Sequence, residues 1–239
     1  MIGARAEWHF DASHSDEFAD SRLDSEKWNA DMKDWGRWSW EPQNAIVREG
    51  TLRLQMINAP HERDGETLTF TSGALVSRTP SLLYAYVEAR IKAAPRYPGV
   101  STAFWVFRNT PELWTEIDVV ELTQHWSDPS IGYFNTHVLR HPALPDARPV
   151  HEKRMARLPG NPADEFHVYS LEWNSREVIW YVDGKEVARR HNEFWHQPLD
   201  VVVSVGLRPP LTTMPETTGF PTIAQVDYVR VWSLPRISD

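Results

Sequence analysis

The chain has 239 residues and no cysteine, and its 33 acidic against 25 basic side chains give a formal net charge of −8. This length predicts a single domain covering residues 1–239, because all-β domains often reach 200–250 residues. The acidic balance argues against a nucleic-acid-binding protein, since phosphate contacts require a basic surface. No run of about 18 apolar residues occurs, so no membrane-spanning helix is expected.

The first ten residues, MIGARAEWHF, lack the apolar segment of a signal peptide. Either the protein is cytosolic or its signal has been removed from this chain. The unusual feature of the composition is its twelve tryptophans. These rings either fill a core, where large aromatic side chains dominate burial, or offer flat faces for stacking on sugars. Composition alone leaves both interpretations open.

Short apolar or alternating runs recur along the chain and predict an all-β fold. They are rich in β-branched and aromatic residues, which suit strands, and they lie at Thr51–Ile57, Tyr84–Ala93, Val100–Phe107, Phe166–Trp173, Leu199–Leu207 and Gln225–Trp232. The dipeptides Asp183-Gly184 and Glu49-Gly50 predict tight hairpin turns. We therefore expect two antiparallel sheets packed face to face as a β-sandwich. The unpatterned, Pro-rich segment His141–Pro162 is predicted to be a long loop.

The segment TEIDVVEL carries three carboxylates on one predicted strand. Strict alternation would place Glu116 and Asp118 on one face and bury Glu121 with the apolar residues on the other. A lone buried carboxylate costs several kcal/mol or changes its pKa. A β-bulge at Val119-Val120 resolves the conflict, because it shifts the phase by one residue and turns all three carboxylates to the same side.

Two carboxylates on such a strand suit glycosidic bond hydrolysis. Leaning inward, the outer two could bring their carboxyls to about 5–6 Å. Retaining glycosidases hold this pair about 5–5.5 Å apart and inverting ones about 6.5–9.5 Å, so the estimate favours retention. The alternatives are an edge strand with solvated acidic residues and a carboxylate cluster that holds a cation.

These features resemble glycoside hydrolase family 16, whose hallmark is a bulged strand reading Glu-x-Asp-x-x-Glu. The likeness runs along most of the chain, and further matching segments are Asp16–Phe18, Leu23–Trp28, Thr71–Ala74, Tyr86–Lys92, Ala103–Trp105, Trp180–Gly184 and Val226–Trp232. The resemblance implies a jelly-roll, concanavalin-like sandwich with a substrate cleft.

Within that family, the segments Tyr97–Ser101, Phe194–His196, Gly206–Arg208 and Gly219–Thr222 resemble those of κ-carrageenases. This likeness implies an endo-acting, retaining hydrolase of internal β-1,4 bonds in a sulfated red-algal galactan, with κ-carrageenan as the first candidate. Furcellaran, agar and porphyran remain alternative substrates.

The family resemblance also implies roles for the acidic strand. Glu116 corresponds to the nucleophile and Glu121 to the acid/base, with Asp118 tuning the nucleophile. His137, in Asn135-Thr136-His137, resembles the histidine beside the family's catalytic site. The residues alone leave a packed or merely hydrogen-bonded histidine equally open.

Three further residues are candidate substrate contacts. Arg208 resembles the sulfate-binding arginine of carrageenases, and a planar guanidinium can bind a sulfate ester in bidentate fashion. Its alternative role is that of an ordinary exposed arginine. Trp38 and Trp105 are candidate sugar platforms, although Trp105 also fits a core position on a buried strand.

The resemblance implies no cofactor for catalysis and leaves room for a structural calcium near Asp227 and the N-terminal segment. We expect a secreted monomer that acts on polysaccharide, with no nucleic-acid or membrane partner. A sugar-binding lectin of the same fold is the alternative from a different class, since fold does not imply function. Three carboxylates on one bulged strand argue against a lectin unless they bind a cation.

Overall fold

The computed structural model describes residues 8–32, 37–63, 65–78, 82–123, 125, 127–144, 146 and 148–233. These residues contain no α-helix, and a 3-10 helix spans Pro42–Asn44. In chain order the strands are β1 (His9–Phe10), β2 (Trp28–Asn29), β3 (Trp38–Trp40), β4 (Ala45–Arg48), β5 (Thr51–Arg63), β6 (Glu66–Ser72), β7 (Ala74–Ser77), β8 (Ala85–Lys92), β9 (Val100–Asn109), β10 (Trp114–Leu122), β11 (Ile131–Tyr133), β12 (Thr136–Arg140), β13 (Val150–Glu152), β14 (Met155–Arg157), β15 (His167–Trp173), β16 (Glu177–Val182), β17 (Lys185–His191), β18 (Asp200–Leu207) and β19 (Thr222–Ser233).

The strands form two sheets. The ten-stranded back sheet has the order β17-β16-β15-β8-β19-β5-β6-β3, with β1 added to β19 and β4 to β5. The nine-stranded cleft sheet has the order β13-β12-β10-β9-β18-β7-β2, with β11 paired to β10 and β14 to β11. All named pairs are antiparallel except β3–β6, which is parallel. The predicted all-β, two-sheet architecture is confirmed.

The hairpin predictions are confirmed by backbone angles. Asp183 and Gly184 connect β16 to β17 with φ values of 48° and 75°. Glu49 and Gly50 connect β4 to β5 with φ values of 54° and 71°. Two consecutive residues with positive φ are the signature of the type I′ turn, whose twist matches that of the paired strands.

Alternation along β9 and β18 divides their side chains between the core and the opposite face of the cleft sheet. Phe104 of β9 and Val203 of β18 are paired and are at most 1% exposed, between the sheets. Leu52 and Leu54 of β5 are fully buried on the back-sheet side. This apolar layer accounts for the runs of buried residues that the sequence pattern predicts as strands.

The predicted loop His141–Pro162 is wrong in part, because it contains β13 and β14. These strands are three residues long and pair with β12 and β11 at the edge of the cleft sheet. Their side chains are exposed or half-buried, so the segment shows no apolar alternation. Pro145 and Ala147 lie outside the described residues. Among the described residues, no helix is long and apolar enough to span a membrane.

Candidate active site

Strand β10 carries the three carboxylates and the predicted bulge. Against β9, Asp118 lies opposite Trp105 and Val120 opposite Phe104, which leaves Val119 without a counterpart. The bulge is therefore confirmed. It turns Glu121 toward the same cleft as Glu116 and Asp118, and we call these three side chains the carboxylate row.

Indole N–H groups hold the backbone of β10 from beneath. Trp180 of β16 donates to the carbonyl of Asp118 at 2.8 Å, and Trp195 donates to the carbonyl of Glu116 at 3.1 Å. The next layer is fixed in turn, because Trp173 donates to the carbonyl of Trp195 at 2.7 Å. Since all three indoles are buried, these bonds fix the carboxylate row against the core.

A cleft of about 300 Å³ opens over the cleft sheet. Its floor is formed by Ser101 and Ala103 of β9 and Ser204 and Gly206 of β18, which are small enough to leave space above the sheet. A Cβ at Gly206 would lie 2.7 Å from the Trp38 ring, so only glycine allows that ring to approach so closely.

One side of the cleft is aromatic, and we call Trp38, Trp40, Trp105 and Trp114 the tryptophan arm. Trp38, Trp40 and Trp105 are only 7%, 4% and 5% exposed, so packing fixes their orientation. The ring of Trp105 also donates from Nε1 to Ser204 Oγ at 3.1 Å. The arm therefore offers rigid apolar surface to a ligand.

On the other side of the carboxylate row the cleft continues for about 360 Å³. We call three of its nitrogen-bearing side chains, His137, His151 and Lys153, the basic arm. Lys153 is exposed, and its ammonium lies 4.2 Å from the centre of the Tyr133 ring. The neighbouring Glu152 does not cancel this charge, because it pairs with Arg154 at 2.7 Å and Arg190 at 3.1 Å.

Burial and mutual repulsion shift the pKa values of the carboxylate row. Burial raises the pKa of Glu116 well above its ordinary value, and the charges of Asp118 and Glu121 raise it further. Asp118 also shares a hydrogen bond with Glu116. Burial and the charge of Glu121 raise the pKa of Asp118, although its hydrogen bond with His137 opposes the rise. Each negative charge in the row therefore opposes ionisation of the neighbouring carboxyls.

His137 connects the row to the basic arm. Its Nε2 lies 3.1 Å from Asp118 Oδ2, and its Nδ1 lies 2.7 Å from Nδ1 of His151. Burial alone would lower the pKa of His137, but the hydrogen bond and the negative charge of Asp118 outweigh it and raise that pKa. The ring therefore takes up a proton beside Asp118 more readily than a free imidazole would.

Both oxygens of Glu121 are engaged. Asn135 donates from Nδ2 to Oε2 at 2.7 Å, and Arg208 donates from its guanidinium to Oε1. Arg208 directly follows β18, and its backbone N–H is bonded to the carbonyl of Gly99 at 2.9 Å. The ion pair therefore joins the residue after β18 to the last residues of β10, and these two strands are the neighbours of β9 in the cleft sheet.

Metal-ligating side chains meet at one place in the part of the chain that the structure describes. Single ligand atoms of Glu116, Asp118 and His137 lie within 4.8 Å of one another. At Asp227, where the resemblance implies a structural calcium, Arg90 donates to Oδ2 at 2.7 Å. The calcium stays a prediction.

The structure brings all seven predicted site residues to one cleft. The carboxylate row, His137 and Arg208 lie at its centre, and Trp38 and Trp105 lie in the tryptophan arm. Their catalytic and binding roles stay predictions. The sequence analysis did not single out four other lining residues as site residues, namely Trp40, Asn135, His151 and Lys153. For Asn135 a signal was present, because it lies two residues before His137 on the approach to β12.

Comparison with known proteins identifies the family. The profile of the β-porphyranase A–D GH16 domain matches residues 8–234. The chain is 34% identical to κ-carrageenase of Pseudoalteromonas carrageenovora over 94% of its length, spanning 64% of that relative. It is 28% identical to β-porphyranase B of Zobellia galactanivorans, over 75% of this chain and 67% of the relative.

A solved structure agrees with these matches. The complex of the P. carrageenovora κ-carrageenase with an oligotetrasaccharide of κ-carrageenan superposes with a TM-score of 0.87 at 32% identity, covering 97% of both chains. The resemblance drawn from the sequence is thus confirmed: the chain belongs to glycoside hydrolase family 16.

Proposed function

We propose that this protein is an endo-acting, retaining glycoside hydrolase that cleaves internal β-1,4 bonds of a sulfated red-algal galactan, with κ-carrageenan as the first candidate. Glu116 attacks the anomeric carbon while Glu121 protonates the departing glycosidic oxygen, which forms a glycosyl ester on Glu116. Glu121 then removes a proton from water, and the water oxygen displaces Glu116 from the anomeric carbon. Asp118 holds Glu116 in place through their shared hydrogen bond.

The observation that carries this proposal is the position of the carboxylate row between two open arms. The tryptophan arm continues the cleft on one side and the basic arm on the other. A polysaccharide can therefore run across the row and place an internal bond over Glu116 and Glu121. Such a cleft suits cleavage within a chain better than removal of terminal units.

The cationic groups support an anionic polysaccharide. Arg208 lies beside the row with its side chain 32% exposed, and His137 and Lys153 follow on the other side. A net charge of −8 repels a polyanion at long range. These local cations are therefore the groups on which attraction of a sulfated chain depends. The κ-carrageenase bound to a κ-carrageenan oligosaccharide, with its similar fold, supports the same substrate class.

A second candidate is a porphyran hydrolase. The matching profile is that of β-porphyranases, and one curated relative is a β-porphyranase. Furcellaran and agar are further alternative substrates, because the same carboxylate row could hydrolyse each of these galactans. Because these substrates are extracellular polymers, we infer that the enzyme acts outside the cell.

Release of reducing ends tests the proposal. Wild-type protein is incubated with κ-carrageenan, furcellaran, porphyran, agarose and laminarin, and binding to each polymer is measured in parallel. We expect release from κ-carrageenan with a rapid fall in polymer length, as endo-cleavage produces. Release from porphyran or agarose alone would replace the proposed substrate, and binding without release from any polymer would favour the lectin.

A further inference from the structure

The contacts of the proposed proton donor oppose its task. Glu121 accepts hydrogen bonds on both oxygens, from Asn135 on Oε2 and from Arg208 on Oε1. An ionised carboxylate is an acceptor only, so two donors and a positive charge favour the ionised form of Glu121. A general acid must instead begin the reaction protonated.

Arg208 is the displaceable one of these two partners. Asn135 is 6% exposed, whereas the Arg208 side chain is 32% exposed and lines both sides of the cleft. Its guanidinium has five N–H donors. Only two bonds from it are formed with described residues, to Glu121 Oε1 and to the carbonyl of Leu207. An anion in the cleft can therefore compete for the same guanidinium.

We propose that Arg208 couples recognition of an anionic galactan to the supply of the proton: a sulfate ester in the cleft draws the guanidinium away from Glu121, and Glu121 then takes up a proton from solvent. This inference rests on the proposed function, since it assigns Glu121 as the acid. The proton taken up on binding is the one later delivered to the glycosidic oxygen. A neutral galactan would leave Glu121 paired and ionised.

The same exchange prepares the nucleophile. The negative charge of Glu121 is one of the causes that raise the pKa of Glu116. The charge of Arg208 lowers the pKa of Glu116, but it is a smaller cause than the charge of Glu121. A proton on Glu121 therefore favours the ionised Glu116 that attack requires, even when the guanidinium moves away. One charged substituent of the substrate would thus place both carboxyls in their working forms.

Other titrating groups surround Glu121 and must be separated from it. Those facing it are Glu116 and Asp118 on β10, His137 on β12, His151 and Glu152 on β13, Lys153 after β13, and Arg208. Protonation of either histidine near a bound sulfate would also consume protons. The experiment therefore needs a variant that removes the titration of Glu121 and leaves the other titrating groups in place.

Proton uptake on binding tests the coupling. Calorimetry of the non-hydrolysing Glu116→Gln protein with a sulfated κ-carrageenan oligosaccharide, in buffers of different ionisation enthalpy at pH 7, gives the number of protons bound. We expect uptake approaching about one proton per site by linkage. The uptake should disappear with the desulfated oligosaccharide. It should fall to a common low level in Glu116→Gln/Glu121→Gln and Glu116→Gln/Arg208→Gln.

The pH dependence of hydrolysis gives a second readout from active protein. In the pH profile of kcat/KM, the fall at high pH reports the acid of the free enzyme, and in the profile of kcat it reports that of the substrate complex. In the wild type, the midpoint of the fall should lie about one pH unit or more lower for kcat/KM than for kcat. Arg208→Gln should close this gap by raising the midpoint for kcat/KM. An arginine that only binds sulfate would raise KM and leave the gap unchanged.

The outcomes separate the two proposals. Binding of the sulfated oligosaccharide without proton uptake, or with uptake that persists in the Glu121→Gln protein, would overturn the coupling and leave the proposed function standing. Failure to bind the sulfated oligosaccharide at all would overturn the proposed function, and the coupling with it.

Discussion

The two arms of the cleft differ in how they are built. The tryptophan arm stands on β3, β9 and β10, and three of its four rings are at most 7% exposed. The basic arm stands largely on the short edge strands β12 and β13, and His151 and Lys153 are exposed. From this contrast we expect preorganised rings to recognise the shape of a substrate on one side and adjustable side chains to recognise its charge on the other.

The carboxylate row between the arms carries the largest expected effect. Glu116→Gln should lower hydrolysis by about 10⁴-fold or more, because the nucleophile is lost. Glu121→Gln should lower polymer hydrolysis by about 10²–10⁴-fold, yet spare formation of the glycosyl-enzyme from an activated aryl glycoside, whose leaving group needs no proton.

Initial-rate and burst measurements on both substrates distinguish these two variants. The matched control is Glu66→Gln, at an exposed position of β6, which should behave as the wild type. A Glu116→Gln protein that retains the burst would contradict the assignment of Glu116 as nucleophile.

In the tryptophan arm, Trp38→Phe keeps the aromatic packing with Trp40, whose ring centre lies 5.7 Å away. The smaller ring should raise KM about tenfold, corresponding to about 1.4 kcal/mol, with kcat little changed. Steady-state kinetics on the polymer measure the split between KM and kcat. Trp232→Phe on the back sheet is the control, since Trp232 contacts Phe10 and Tyr86 far from the cleft lining. Equal effects of the two substitutions on KM would contradict a role of Trp38 in substrate binding.

In the basic arm, Lys153→Met keeps the aliphatic stem and removes the charge. Binding of a sulfated galactan should weaken about two- to fivefold, because an exposed ion pair contributes about 0.2–1 kcal/mol. The loss should shrink as salt is added, since salt screens exposed charges. Lys185→Met on exposed β17 is the matched control. A loss that is the same at all ionic strengths would contradict a charge-based role.

The last expected effect concerns stability rather than catalysis or binding. Because the folded-state pKa of Glu116 is raised, the folded protein binds the extra proton, and its free energy of unfolding falls as pH rises through that pKa. Glu116→Gln removes this dependence. At pH 8 the variant should be about 1 kcal/mol more stable than wild type, or about 2–4 °C in Tm.

Urea unfolding of both proteins at pH 8 and pH 5 measures this difference. The gain should shrink at the lower pH, as the wild-type carboxyl takes up its proton. A variant less stable than wild type at pH 8 would show that Glu116 is held by favourable bonds rather than by strain.

The contrast between the arms also explains what the sequence could predict. The bulge at Val119 followed from the conflict between strand alternation and the position of Glu121, and the hairpin at Asp183-Gly184 followed from local backbone preference. The interior strands were likewise predicted from the apolar pattern, although their order in the sheets was not. The short edge strands β13 and β14 were missed because exposed strands of three residues carry no such pattern.

The sequence predicted which residues belong to the site better than it predicted the contacts between them. The partners of Glu121 are 14 and 87 residues away in the chain, at Asn135 and Arg208, so the ion pair depends on tertiary packing. The tryptophans divided between both interpretations: Trp173, Trp180 and Trp195 fill the core, whereas Trp38 and Trp105 are buried yet line the cleft. The composition gives the number of tryptophans but not which of them lie in the core and which line the cleft.

The stereochemistry of the first product tests the central claim most directly. Proton NMR during the first minutes of κ-carrageenan hydrolysis should show the β-anomer of the new reducing end, followed by slow conversion to the equilibrium mixture. That order is required if Glu116 forms a covalent intermediate which water then opens with Glu121 as base. Initial appearance of the α-anomer would contradict the account, because the two carboxyls would then be acting across an intervening water.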